Sequence, residues 1–199
     1  MSTPQCDSRA RRAAADFDPS DYPVRTSDIG ALLALEQQVT VHNLLIRALL
    51  QMRCLLDNDR ALNGAFGDSG MREQTADIAD DLAHAITAAL LFADEASLSG
   101  HEAAADPAFA AAFAAQWPAD GDGVRLGRLD LTARTFALPL SPMVHSVAFA
   151  ALPDALRERV VERLRRALAG RLPAGVAMAK AQREAIDTHL RATLPGYAE

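Results

Sequence analysis

Between Ser27 and Leu56 apolar residues recur so densely that, at roughly 100° per residue, they cover about two thirds of a helix circumference. A narrow arc of Glu36, Thr40, Asn43 and Arg47 interrupts them. The apolar positions sort into two stripes. Leu32, Leu35, Val39, Ile46 and Leu49 form one, and Val41, Leu44, Leu45, Met52 and Leu55 form the other. The pattern predicts a long central helix serving two neighbouring surfaces and surrounded by other elements. Ser27 or Asp28 is placed to cap its free N–H groups. Asp57 to Gly70, with Asn58, Asn63, Gly64 and Gly67, reads as a turn.

The same periodicity predicts a second helix from about Arg72 to Leu98, with Ile78, Leu82, Ala85, Ile86, Ala89, Leu90 and Ala93 inward. Asp77, Asp80, Asp81, His84, Thr87 and Glu95 fall on its polar side. Asp106 followed by Pro107 opens a short helix carrying Phe109, Phe113 and Trp117 on one face, a core-packing pattern. Pro118 to Gly123 is a turn. Val124 to Leu140 fits either a short helix around Leu129 to Phe136 or an extended arm. Ser141 and Pro142 start a further helix that Pro153 interrupts. Asp154 to Leu168 is clearly amphipathic and stops at Gly170, and a last helix runs from about Val176 to Leu194. These elements imply an all-α fold, an irregular bundle of five to six helices around the central apolar one. Residues 1–23, rich in Ser, Asp, Pro and Ala, read as a disordered tail, and residues 24–199 as one helical domain.

Composition sharpens this picture. Half of the 199 residues are hydrophobic but only 5% are aromatic, which favours helix over strand. The net charge of −6 argues against nucleic acid as a partner, because phosphate binding needs a clustered positive surface. Charge is uneven: Val124 to Arg171 holds nine arginines against four acids, so the remainder is strongly acidic and the two regions can dock on each other. Cys6 and Cys54 lie in no metal or redox motif, and Cys54 reads as a small core residue. No uninterrupted apolar run approaches the ~18 residues of a membrane span, and no apolar segment follows Arg11 and Arg12 to make a signal peptide. As written, the chain is expected to be cytoplasmic unless it is a fragment.

Candidate chemistry is sparse. His42, flanked by Leu35 and Leu49 along the helix, is expected to be a buried imidazole needing partners for both ring nitrogens. It is the centre of a haem or metal reading, in which folding brings His145 or Glu36 beside it. Asp81 and His84 approximate one half of a di-iron Glu-x-x-His pair, although solvated charge explains them better. Ser141, His145 and Ser146 lack the strand–turn–helix setting of a nucleophile elbow, and Ser141 is better explained as a cap. Asp120 to Gly123 is a turn rather than a calcium loop. Arg159, Arg163 and Arg166, interleaved with Glu158 and Glu162, read as a solvated face. The expectation is a noncatalytic helical interaction or accessory domain with no cofactor. Its partner is another protein or a second copy. The alternative is a haem- or metal-binding bundle using His42.

Residues 21–49, DYPVRTSDIGALLALEQQVTVHNLLIRAL, 90–100, LLFADEASLSG, and 127–156, GRLDLTARTFALPLSPMVHSVAFAALPDAL, together resemble the C-terminal part of a group of bacterial secreted or periplasmic proteins. The likeness spans most of the chain after residue 20 and rests on packing and capping patterns without catalytic residues. It implies an envelope setting and a detached or truncated C-terminal domain. Relatives often carry histidine where this chain has Gln37, which puts in doubt any shared ligand role built on His42.

Overall fold

In a computed structural model of the chain, residues 29–198 are described. The Ser27 and Asp28 cap, the 1–23 tail and Cys6 lie outside them. The described residues form α1 (Ile29–Phe66), α2 (Glu73–Leu90), α3 (Pro107–Ala115), a 3-10 helix (Pro142–His145), α4 (Val147–Ala150), α5 (Asp154–Leu168) and α6 (Lys180–Thr193), and no strand. The fold is all-α, as the periodicity predicted.

The first helix is longer than expected. It runs through Asn58, Asn63 and Gly64 to Phe66, and the chain turns only where Gly67 adopts φ 75°. There the N–H groups of Gly67 and Asp68 both donate to the Asn63 carbonyl, closing the free end of the helix. Two polar residues of the last turns are buried for a reason. Asp59 accepts from the Arg72 backbone N–H and the Thr75 hydroxyl, both at 3.0 Å, and Asn63 Nδ2 donates to the Gly70 carbonyl at 2.7 Å. Arg72 cannot cap α2 with its own side chain, so a carboxylate from the preceding helix takes that place. This junction turns α2 back along α1.

Val41, Leu45, Ala48, Leu49 and Met52 of α1 enter one continuous core with Ala79, Ala83, Ile86 and Leu90 of α2 and Leu156, Val160, Leu164 and Ala167 of α5. Full burial of Leu45 alone is worth ~1.5–3 kcal/mol. The tight seam along α2 is alanine, which lets neighbouring helices approach closely. That shifts the buried phase of α2 from the expected one: Thr75, Ala79, Ala83 and Thr87 face inward and Ala85 is exposed. Thr87 tolerates burial by donating its hydroxyl to the Ala83 carbonyl at 2.7 Å. α2 also ends at Leu90 rather than Leu98, where Phe92 takes φ 56° and breaks the helical path.

A smaller aromatic cluster sits beside this core. Phe113, Phe136, Phe92, Phe109 and Trp117 gather against Ala34, with Phe92 stacked on Phe136 at 5.6 Å. The i, i+4, i+8 aromatics of α3 are therefore packing residues. Between α3 and the 3-10 helix, the region from Val124 to Leu140 is neither helix nor free arm. One antiparallel bridge, Leu129 to Phe136, closes it into a loop that buries Leu126, Leu131, Phe136 and Leu140. Its backbone is held by the segment after α2: Leu98 N–H donates to the Ala133 carbonyl and Ala103 N–H to that of Leu131, both at 3.0 Å.

The basic segment meets the acidic remainder at one surface acid of α2. Arg159 and Arg163 of α5 reach Asp80 of α2 at 3.1 and 3.9 Å, while Glu162 and Arg166 pair at 2.8 Å along α5.

Candidate functional site

Two features stand apart from ordinary core and surface. The first is the outer side of α1. Val41, Leu45, Ala48, Leu49 and Met52 face the core, with α2 as the main partner, while Leu32, Leu35, Val39 and Leu50 stay exposed among the described residues. Leu32 is 63% exposed, Leu35 56% and Leu50 61%, with Val39 on the same side. Of the eight exposed large hydrophobic residues among the described ones, seven lie on α1. A soluble surface scatters such side chains, so their concentration on one helix needs an explanation. α1 is also long and apolar enough, by length and composition, to cross a membrane, although no uninterrupted apolar run of that length occurs in it. Its opposite side, however, is committed to the core.

His42 lies on this outer face. It is exposed, as is Cys54, so neither is the buried residue expected from its apolar neighbours. Of the two leucines that flank His42 along the helix, Leu49 is buried and Leu35 is exposed, and the ring falls on the Leu35 side. Glu36, Asp81 and His84 are exposed as well. Among the described residues no three His, Cys, Asp or Glu side chains converge as a metal site, so the set of His42, Glu36, Asp81 and His84 is not assembled.

The second feature contains His145, but with different companions. Its Nε2 lies 3.3 Å from Nε2 of His189 on α6, and the ring centres are 5.5 Å apart. Those two distances place both nitrogens almost on the line joining the rings, the geometry of one N–H···N hydrogen bond. On the far side, Nδ1 of the fully buried His189 faces Oδ2 of Asp120 at 3.4 Å, an electrostatic contact longer than a good hydrogen bond. The Thr193 hydroxyl, one turn beyond His189, donates to the His189 carbonyl at 2.6 Å and lies 3.4 Å from His145 Nε2.

The protonation pattern follows from the acceptors. Asp120, facing His189 Nδ1, favours a proton there, and the Val124 backbone also favours the protonated ring. Neutral His189 therefore offers its Nε2 lone pair, and His145 must donate from its own Nε2. Burial, and then the neighbouring His189, push the His145 pKa down to about 4. Burial also lowers that of His189, against the pull of Asp120. For Asp120 burial acts upward, but the N–H groups of Val124 and Asp122, donating to Oδ1 at 2.9 and 3.0 Å, together with His189, hold it below the usual carboxylate range. The turn at Asp120 to Gly123 thus exists as expected and also fixes a buried anion.

His145 opens onto a cavity of about 590 Å3 bounded by the 3-10 helix, α4, α5 and the chain following α6. Ser146, Arg157, Glu158, Arg165 and Thr193 supply its polar lining. Ser141 is fully buried, accepts from the Met143 N–H and caps the 3-10 helix, so it is no nucleophile. Ser146 caps α4 through the Phe149 N–H at 3.1 Å. Sequence reasoning missed Asp120 and His189. The available signal was helical phase, since Ile186, His189, Leu190 and Thr193 share one side of α6. A scan against protein-family models, a search of curated proteins and a search of solved structures each find no match to this chain.

Proposed function

We propose that this chain is a noncatalytic helical interaction domain, and that it docks through the outer face of α1 to a second copy of itself. The observation that carries the reading is the concentration of exposed hydrophobic residues on α1. Their spacing favours a helix as occupant: Leu32, Leu35, Val39, His42 and Ile46 alternate steps of three and four, the heptad seam of paired helices. Charge favours a copy of the same helix running antiparallel. Pairing centred between Val39 and His42 sets Leu35 opposite the second copy's Ile46 and brings Glu36 toward its Arg47. A membrane surface is the weaker occupant, since a helix lying in the interface carries a polar face rich in Lys and Arg, and α1 instead mixes Glu36 and Asp57 with Arg47, Arg53 and Arg60.

Sedimentation velocity over a concentration series tests this. The full chain should pass from monomer to dimer, and Val39→Lys should remain monomeric with unchanged helical circular dichroism. A wild-type chain that stays monomeric at every concentration overturns the reading.

A further inference from the structure

The cavity beside His145 takes no part in docking through α1. Its walls are largely apolar, with Phe149, Val161 and Leu194 among them, and its volume of about 590 Å3 is that of a small-molecule pocket. Two polar features of opposite kind converge there. His145 uses Nε2 on His189 and Thr193, which leaves Nδ1, an acceptor in this tautomer, for a ligand. Arg165 donates from Nε and Nη2 to the carbonyls of Tyr197 and Gly196, which fixes its guanidinium and leaves Nη1 uncommitted. An acceptor and a donor in one apolar pocket match the O–H and C=O of a carboxylic acid.

Charge bookkeeping points the same way. Arg157 is already matched by Asp154 at 2.5 Å, and Glu158 offsets Arg165, so the lining is nearly neutral. An anion entering it with a proton keeps that balance, and the buried chain behind His145 has a place for one. The proton is added to His145 Nδ1, the proton on His145 Nε2 moves to His189 Nε2, and the resulting imidazolium faces the carboxylate of Asp120. His145 is then neutral again, with an N–H directed at the ligand carboxylate. Nothing is consumed, and one proton is held.

We propose that this cavity binds a small monocarboxylic acid with an apolar body, and that binding takes one proton into the Asp120, His189 and His145 chain. The site does not depend on the docking face, so either proposal can fail alone.

Octanoate and 3-phenylpropionate are suitable probes, with octanol as the neutral control. Calorimetric titration of the full chain near neutral pH, in two buffers of different ionisation enthalpy, should show uptake of close to one proton per carboxylate bound. Imidazole nitrogen NMR should show the His145 and His189 signals moving with either acid and far less with octanol. His145→Gln should weaken octanoate binding by about ten-fold or more and abolish the proton uptake. Two results overturn the proposal: imidazole signals that ignore both acids, or move equally with octanol, and carboxylate binding without proton uptake. These wild-type arms decide it even if the variant fails to fold.

Discussion

Gln37 on α1 and Ser141 at the start of the 3-10 helix are joined by a two-way contact, Gln37 Nε2 donating to Ser141 Oγ at 2.8 Å and Ser141 Oγ lying 3.2 Å from Gln37 Oε1. The Ser141 backbone N–H meanwhile donates to the Leu90 carbonyl at 2.8 Å. One serine thus ties α1, the end of α2 and the entrance to the His145 segment together. Ser141→Ala leaves Gln37 and the Met143 N–H without this partner and should cost about 1–3 kcal/mol in chemical denaturation.

Gly127 packs against the ring of Trp117: a Cβ at Gly127 would fall 2.1 Å from Trp117 Cδ1. Gly127→Ala must displace the indole, with a cost of about 1–3 kcal/mol from overpacking. Trp117 is the only tryptophan, so its emission spectrum should change together with the melting temperature.

Leu35 and Leu45 lie ten residues apart on α1, the first exposed and the second buried. Leu45→Asp buries an unpaired carboxylate in the core and should unfold the chain or destabilise it by more than about 4 kcal/mol. Leu35→Asp lies on the exposed stripe and should change monomer stability by no more than about 0.5 kcal/mol. Thermal melting at low protein concentration separates the two.

Stability should fall on acidification through a defined window. An unfolded histidine takes its proton near pH 6.5, but folded His145 does so only near pH 4. Between those values the unfolded chain binds more protons, so the stability contributed by the neutral imidazole is complete above about 6.5 and is lost as pH falls toward 4. His189, lowered for the same reason, adds to the slope, and Asp120 adds a further loss as pH drops through its depressed value. Urea midpoints measured between pH 4 and 7 should show this, and His145→Gln should flatten the curve.

The Asp80 pairs with Arg159 and Arg163 are surface contacts, with Asp80 half exposed. Asp80→Asn should cost no more than about 1 kcal/mol, less in high salt. A larger loss would show that α2 and α5 are held by charge rather than by their alanine and leucine seam.

Much of the fold was legible in the chain because helices announce themselves locally. The Asp154 to Leu168 helix was readable to the residue, since its apolar repeat, its opening proline and its terminal glycine all agree. The aromatic spacing of α3 and the Ser141 cap were equally plain. α1 was read short because Asn63 and Gly64 look like turn residues in isolation. A buried contact from Asn63 to Gly70 keeps the helix going. The loop from Val124 to Leu140 resisted reading because what holds it, Leu98 and Ala103 in another segment, is remote in sequence.

By itself the sequence determined the all-α class, most helix positions and the existence of two apolar stripes on α1, because periodicity and capping are properties of neighbouring residues. Tertiary structure alone decided which apolar positions of α1 became core and which stayed exposed, and it turned His42 outward. It also brought His145, His189 and Asp120 together from three separate elements. The physical reason is the same in each case: burial and proton sharing depend on which distant surfaces meet, and no local pattern encodes that meeting.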